Sequence, residues 1–309
     1  MKIGMSVELQ ENMTWERLRE LLVWCERYAI DSLWFSDHLQ SLDRGAQKSS
    51  IDCLVAMAHA LAVTERLHVG SLVCPVTFRS PAVMLKTANS LESMAPGRVT
   101  VGLGLGWNAA EHESFGIAFP AAERRADMLG EVVEALRATQ DGKPVSMAGD
   151  HVRLRTAAIS PAVRLRLLIG GTGRPRLARL VAHAADEWNA PATGPKAYRR
   201  RVEALARQCD QIHRDPATVM LSIAANQAIG HTAQAAGRAR AALVAITPPE
   251  FRPSSSDESP RWITGTAAQA AEQLDLFART GVQRLILQWR RPPDEEDVAL
   301  VGQLAGAVG

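Results

Sequence analysis

The chain of 309 residues is 47% hydrophobic and 22% charged with a formal net charge of +2, so it can bury a large core and lacks the basic excess that binding through nucleic-acid phosphates requires. Cys25, Cys53, Cys74 and Cys209 stand far apart with no CxxC pair, which argues against a disulfide framework or a zinc ribbon and fits a reducing cytoplasm. The start "MKIGMSVEL" carries no secretory apolar core, and no uninterrupted apolar run approaches the roughly 18 residues of a membrane span, so neither export nor insertion is expected.

In chain order, Lys2 to Val7 reads as a strand. Thr14 to Ala29 follows with Trp15, Leu18, Leu22, Cys25 and Ala29 at the 3, 4, 3, 4 spacing of one helix face. Ser32 to Phe35 is a second strand, Ile51 to Val63 a helix, Leu67 to Cys74 a third strand, and Pro81 to Met94 a helix with proline in its first turn. Arg98 to Leu103 is the fourth strand, and Ala122 to Ala138 a helix turning Met128, Leu129, Val132, Val133 and Leu136 inward. Leu165 to Ile169, Glu187 to Asn189, Val219 to Ala224 and Arg284 to Gln288 are further strands, each set off by helical sequence. Short, uniformly apolar strands alternating with helices predict a parallel sheet covered by helices. About eight such units in a chain of this length predict a (β/α)8 TIM barrel with insertions. The polar stretch 247–262, "TPPEFRPSSSDESPRW", has no periodicity and reads either as an irregular insertion or as a mobile lid over the barrel mouth.

The stretch "VGLGLGWNAAE" (101–111) fits a dinucleotide fingerprint as Gly104-x-Gly106-x-x-Ala109. That fingerprint belongs to a first strand, with a second strand ending in an acidic residue about 20 residues later. Here it follows the fourth strand, and the expected place holds the helical "AERRADMLGEVVEALR". We therefore read the glycines as delivered to the C-terminal mouth of a barrel, where catalytic loops gather and missing side chains admit a flat ring or a backbone. Asn108 and Glu111 are spaced as a capping box, a reading compatible with a place for Glu111 in the pocket. His112-Glu113 begins a deaminase-like pattern, but no later P-C-x-x-C supplies thiolates, so no metal site is expected.

Taken together, "LWFSDH" (33–38), "LHVGSLVCPVTFRSPA" (67–82), "GRVTVGLGLGWNAAEHESFGIAFP" (97–120), "LLIGGTG" (167–173), "ADEWN" (185–189) and "ITGTAAQAAEQL" (263–274) resemble the bacterial luciferase-like monooxygenase superfamily, over nearly the full length and in family order. The branch most similar uses the deazaflavin coenzyme F420. The resemblance implies a (β/α)8 barrel with insertions, with His38 beside the reactive face of the cofactor ring and Asp37 in support. It implies a non-proline cis peptide behind the ring at Leu72-Val73, and a cofactor-phosphate turn at Gly170, Gly171, Thr172 and Gly173, where amides and a helix N-terminus favour an anion. Gly104, Gly106 and Asn108 fall in the implied cofactor site.

The chain departs from the sugar-phosphate-oxidising relatives. Trp107 stands where they carry a catalytic glutamate, and Leu42 roughly where they carry a tryptophan, so those acid and anion-binding roles do not transfer. Trp107, Trp188 and Trp289, near strand ends, point to an aromatic substrate cavity that also includes Glu111, with core packing the weightier reading for Trp188. The expected activity is hydride transfer between F420 and a small organic substrate. The rival readings are an FMN-dependent monooxygenase and a barrel kept for cofactor binding without turnover. Arg79 and Arg174 are candidate contacts for the acidic tail of F420, and a homodimer is expected by analogy with the family.

Overall fold

The computed structural model describes residues 1–43, 47–247, 252 and 262–308. Most of the predicted lid stretch, apart from Thr247, Arg252 and Trp262, lies outside the described residues. The strands are β1 (Lys2–Val7), β2 (Ser32–Phe35), β3 (His68–Ser71), β4 (Cys74–Pro75), β5 (Val99–Gly104), β6 (Val145–Ala148), β7 (Arg153–Ala157), β8 (Arg166–Gly170), β9 (Glu187–Pro191), β10 (Met220–Gly230), β11 (Trp262–Thr266) and β12 (Arg284–Trp289). The helices are α1 (Trp15–Arg27), α2 (Cys53–Val63), α3 (Pro81–Met94), α4 (Ala109–Ser114), α5 (Ala122–Ala138), α6 (Pro175–Ala184), α7 (Pro195–Gln211), α8 (Ala233–Ile246), α9 (Ala267–Ala278) and α10 (Glu295–Val308).

Eight parallel strands close on themselves in the order β1, β2, β3, β5, β8, β9, β10, β12, with β12 returning to β1 from Lys2 opposite Arg284 to Val7 opposite Trp289. This is the predicted TIM barrel, and all eight barrel strands fall on stretches read as strands in the sequence. Two features were not read there. The antiparallel hairpin β6–β7 is inserted between α5 and β8, and β11 pairs with the upper part of β10, from Asn226 opposite Trp262 to Gly230 opposite Thr266. The third predicted strand is also broken, because the Leu72-Val73 peptide is cis and separates β3 from β4, as the resemblance implied. Among the described residues no helix is long and apolar enough to cross a membrane.

Successive side chains on a barrel strand point to opposite faces. On β1, Ile3, Met5 and Val7 join the large outer core beneath the helices, whereas Gly4 faces inward onto Trp34 and Ser32. The small inner core consists of Trp34, Leu168 and Ile286, with Leu72 and Val73 packed against it. Glycines make room for it. A Cβ on Gly70 would come within 2.5 Å of the Trp34 ring, and Cβ atoms on Gly104 and Gly170 would come within 2.5 and 2.8 Å of Val73. Trp34 and Val73 thus fill an interior that TIM barrels usually fill with bulky branched side chains from several strands.

At the N-terminal end of the barrel, Arg284 is 1% exposed, donates to Glu187 at 2.5 Å and lies 5.3 Å above the Trp34 ring. His68 bonds Thr100 there at 2.8 Å, and its pKa is pushed down to about 3, first by burial and then by Arg284 and Arg166, so it is neutral at ordinary pH. A cavity of about 430 Å³ opens at this end too, lined by Val99, Arg166, Glu187 and Met220 at the strand starts.

Candidate functional site

The chain leaves β2 at Phe35 and passes through Ser36, Asp37 and His38 at the C-terminal end of the barrel. Asp37, read from sequence as the support of His38, is instead bound on both carboxylate oxygens by Arg79, which also donates to Asp52 at 2.7 Å. The partner of His38 is Glu111, with Oε2 2.9 Å from the imidazole Nδ1. The other Glu111 oxygen accepts from the amide of Leu39 at 2.5 Å and that of Gln40 at 3.4 Å.

Glu111 is 0% exposed, so it stands behind His38 rather than in the predicted substrate pocket. The expected capping box is half made. Asn108 Oδ1 accepts from the Glu111 amide at 3.3 Å, but the Glu111 carboxylate does not reach back to the cap. His112 is engaged on both ring nitrogens, with the Asn108 carbonyl and with Thr77, and packs against Phe78 and Phe119.

A second carboxylate flanks His38. Glu8 follows Gly4 and Ser6 on the inward face of β1, is 4% exposed, and accepts from Gln10 at 2.6 Å and from Gln288. Burial alone would lower the His38 pKa, but the hydrogen bond to Glu111 and the charges of Glu8, Glu111 and Asp37 raise it overall. Burial acts to raise the Glu111 pKa, and His38 with the two amides brings it below the ordinary carboxylate value.

Beside this pair opens a cavity of about 600 Å³ at the C-terminal ends of the strands. Its floor is Leu72, Val73, Gly104, Gly106, Gly170, Gly171 and Thr172, all singled out in the sequence. Apolar walls come from Leu105, Trp107, Leu177 and Trp262, and polar atoms from Arg174, Asn189, Asn226, Gln288 and Arg290. Among the described residues no Asp or Glu lines it. Trp107 is 58% exposed and stands edge-on to His38 with ring centres 5.8 Å apart, which brings the histidine to the rim.

Three predicted site residues lie elsewhere. Trp289 is 2% exposed and belongs to the outer core, because it shares strand parity with Leu285 and Leu287 rather than with the inward Ile286. Gly173 (φ +70°) turns the chain against Trp188, whose ring a Cβ there would meet at 2.7 Å, and Asn108 serves as the cap of α4. Trp188 is itself core, stacked on Tyr198 with its Nε1 donating to the Gly171 carbonyl at 3.1 Å. Sequence reading missed Glu8, Arg79 as the partner of Asp37, and the polar atoms contributed by Asn226, Gln288 and Arg290.

The arrangement suits a flat ring with an anionic tail. Of the four floor glycines, Gly104 and Gly170 stand against Val73, and their missing side chains allow close approach to it and to backbone. The Gly171 amide is already bonded to the Asn189 carbonyl, but the α6 N-terminus directly follows the turn and offers unpaired amides. The buried Asn226 Oδ1 and Arg290 Nε have no partner among the described residues, which leaves two groups available to an occupant.

A family profile described as luciferase-like monooxygenase matches residues 1–284, and the chain belongs to that family. It is similar to the F420-dependent glucose-6-phosphate dehydrogenase of Nakamurella multipartita, at 33% identity over 174 residues, 55% of this chain and 50% of that protein. The chain thus spans about half the length of the curated relatives it matches. The fold superposes on an F420-dependent secondary alcohol dehydrogenase in complex with an F420-acetone adduct, with TM-score 0.84, 21% identity and 100% and 99% of the two chains covered. It also superposes on the coenzyme F420-dependent tetrahydromethanopterin reductase of Methanopyrus kandleri, with TM-score 0.80, 16% identity and 98% of both chains.

Proposed function

We propose that this luciferase-like chain is an oxidoreductase that exchanges a hydride between coenzyme F420 and a small organic substrate at the C-terminal mouth of the barrel. The carrying observation is the cavity floored by Val73, Gly104, Gly170 and Gly171, with no Asp or Glu among the described residues that line it, and with a glutamate-held histidine against its Trp107 wall. Val73 and the glycine floor would hold the ring, and the 170–173 turn, Arg174 and the α6 N-terminus its phosphate. F420, when bound, supplies two-electron hydride chemistry. The rest falls to this chain. Trp107, Leu105, Leu177 and Trp262 exclude water and press a substrate into the cavity, where proximity lowers the barrier. His38 Nδ1 is committed to Glu111, and Nε2 has no partner among the described residues, so Nε2 is the nitrogen that orients the substrate or exchanges its proton.

The similarity to named F420-dependent proteins supports F420 over FMN. Quenching of tryptophan fluorescence during titration with each cofactor tests this. Saturable binding of F420 is expected, and tight binding of FMN alone overturns the assignment. A homodimer completes the reading, with light scattering after gel filtration as its check.

A further inference from the structure

We infer that Glu111 is the positioning residue of His38: from behind the loop it fixes the imidazole plane, holds the proton on Nδ1 and presents Nε2 to the substrate. The inference rests on the proposed function for the meaning of Nε2, but the coupling itself rests on geometry alone. Glu111 is fully buried and spends both oxygens on one short segment, Oε2 on His38 Nδ1 and Oε1 on the amides of Leu39 and Gln40. A single carboxylate therefore sets both the backbone that carries the ring and the ring's rotation. A carboxylate that receives two amide donors stays ionised, and an ionised carboxylate only accepts, so Nδ1 must be the donor.

Three carboxylates act on the ring: Glu111 from α4, Glu8 from just past β1, and Asp37 from its own segment, the last paired with Arg79. The local field therefore favours the imidazolium, which makes His38 a proton donor toward a substrate that accepts hydride at carbon. With a carbonyl substrate, the carbon would take a hydride supplied by reduced F420 as the C=O π bond opens, while the oxygen would take the Nε2 proton of His38, which solvent would restore.

Glu111→Gln tests this, because an amide can still accept from the Leu39 and Gln40 amides but would donate to Nδ1, forcing the neutral ring to carry its proton on Nε2. Imidazole nitrogen shifts are followed against pH in ¹⁵N-labelled cofactor-free protein, with His38→Gln assigning the signal among the eight histidines. Expected are an Nδ1-protonated His38 in the parent chain and, in Glu111→Gln, the opposite tautomer with the midpoint moved down. With F420 and a turned-over substrate, kcat is expected to fall on the order of 10²- to 10⁴-fold while F420 binding stays within about twofold. An unchanged tautomer and midpoint in a folded Glu111→Gln overturns the inference. Should that variant fail to fold, the parent chain decides: a neutral His38 with its proton on Nε2 overturns it equally. A protein that binds no F420 would end the proposed function and leave the titration result standing.

Discussion

Replacing Arg79 by methionine keeps most of the side-chain volume and removes the charge that Asp37 depends on. The Asp37 side chain is 2% exposed and that of Arg79 16%, and the two guanidinium contacts are the hydrogen bonds the Asp37 carboxylate makes. Asp52, at 43% exposure, loses its Arg79 contact with solvent at hand, so it adds little. Breaking a buried pair from one side costs about 3–5 kcal/mol, which for a chain of this size is roughly 5–8 °C in Tm. Thermal and urea unfolding of Arg79→Met at pH 7 measures it. Arg79→Met/Asp37→Asn should recover much of the loss, because a neutral amide is cheaper to bury than an unpaired carboxylate. A loss under about 1 kcal/mol at pH 7 would refute the view that these two residues form an essential buried pair.

Gly104→Val places carbon where Val73 sits, since Cβ alone comes within 2.5 Å of its Cγ2, and should abolish F420 binding in the fluorescence titration with at most a modest change in Tm; unchanged affinity would remove Gly104 from the site. Gly70→Ala meets a ring in a closed interior and should cost about 1–3 kcal/mol in urea unfolding, by overpacking around Trp34. The His38–Glu111 pair should stabilise the fold most between the ordinary values of 4.5 and 6.5. The His38 share, with its pKa raised, fades as pH climbs through that folded value, and the Glu111 share, with its pKa lowered, fades as pH drops through its own; a pH-independent Tm difference between the parent chain and Glu111→Gln would contradict this. All four cysteines are buried, so a thiol reagent should label none in the native state and four in urea.

The barrel was legible because its strands are buried on both faces and read as apolar runs, a signal that needs no knowledge of partners. Which face each residue takes was also written there and was missed. Parity along 284–290 sends Arg284, Ile286, Gln288 and Arg290 inward and Trp289 outward, and the same parity from Gly4 sends Glu8 inward. Position near a strand end therefore placed Trp289 in the wrong space, where alternation would have put Arg290. The pairings of His38 with Glu111, 73 residues away, and of Asp37 with Arg79, 42 away, left no such trace, because they depend on how loops fold over the barrel mouth. The hairpin β6–β7 and strand β11 escaped because their exposed or short segments lack the apolar run that marks the barrel strands.

Strand β10 serves two structures at once. Its first half is a stave of the barrel, and its second half carries β11; at the junction Asn226 is opposite both Gln288 and Trp262, and all three line the cavity. Any tilt of β11 is therefore delivered straight to one wall of the chamber. Relatives could diverge in what they admit by rebuilding a single flap on an unaltered frame.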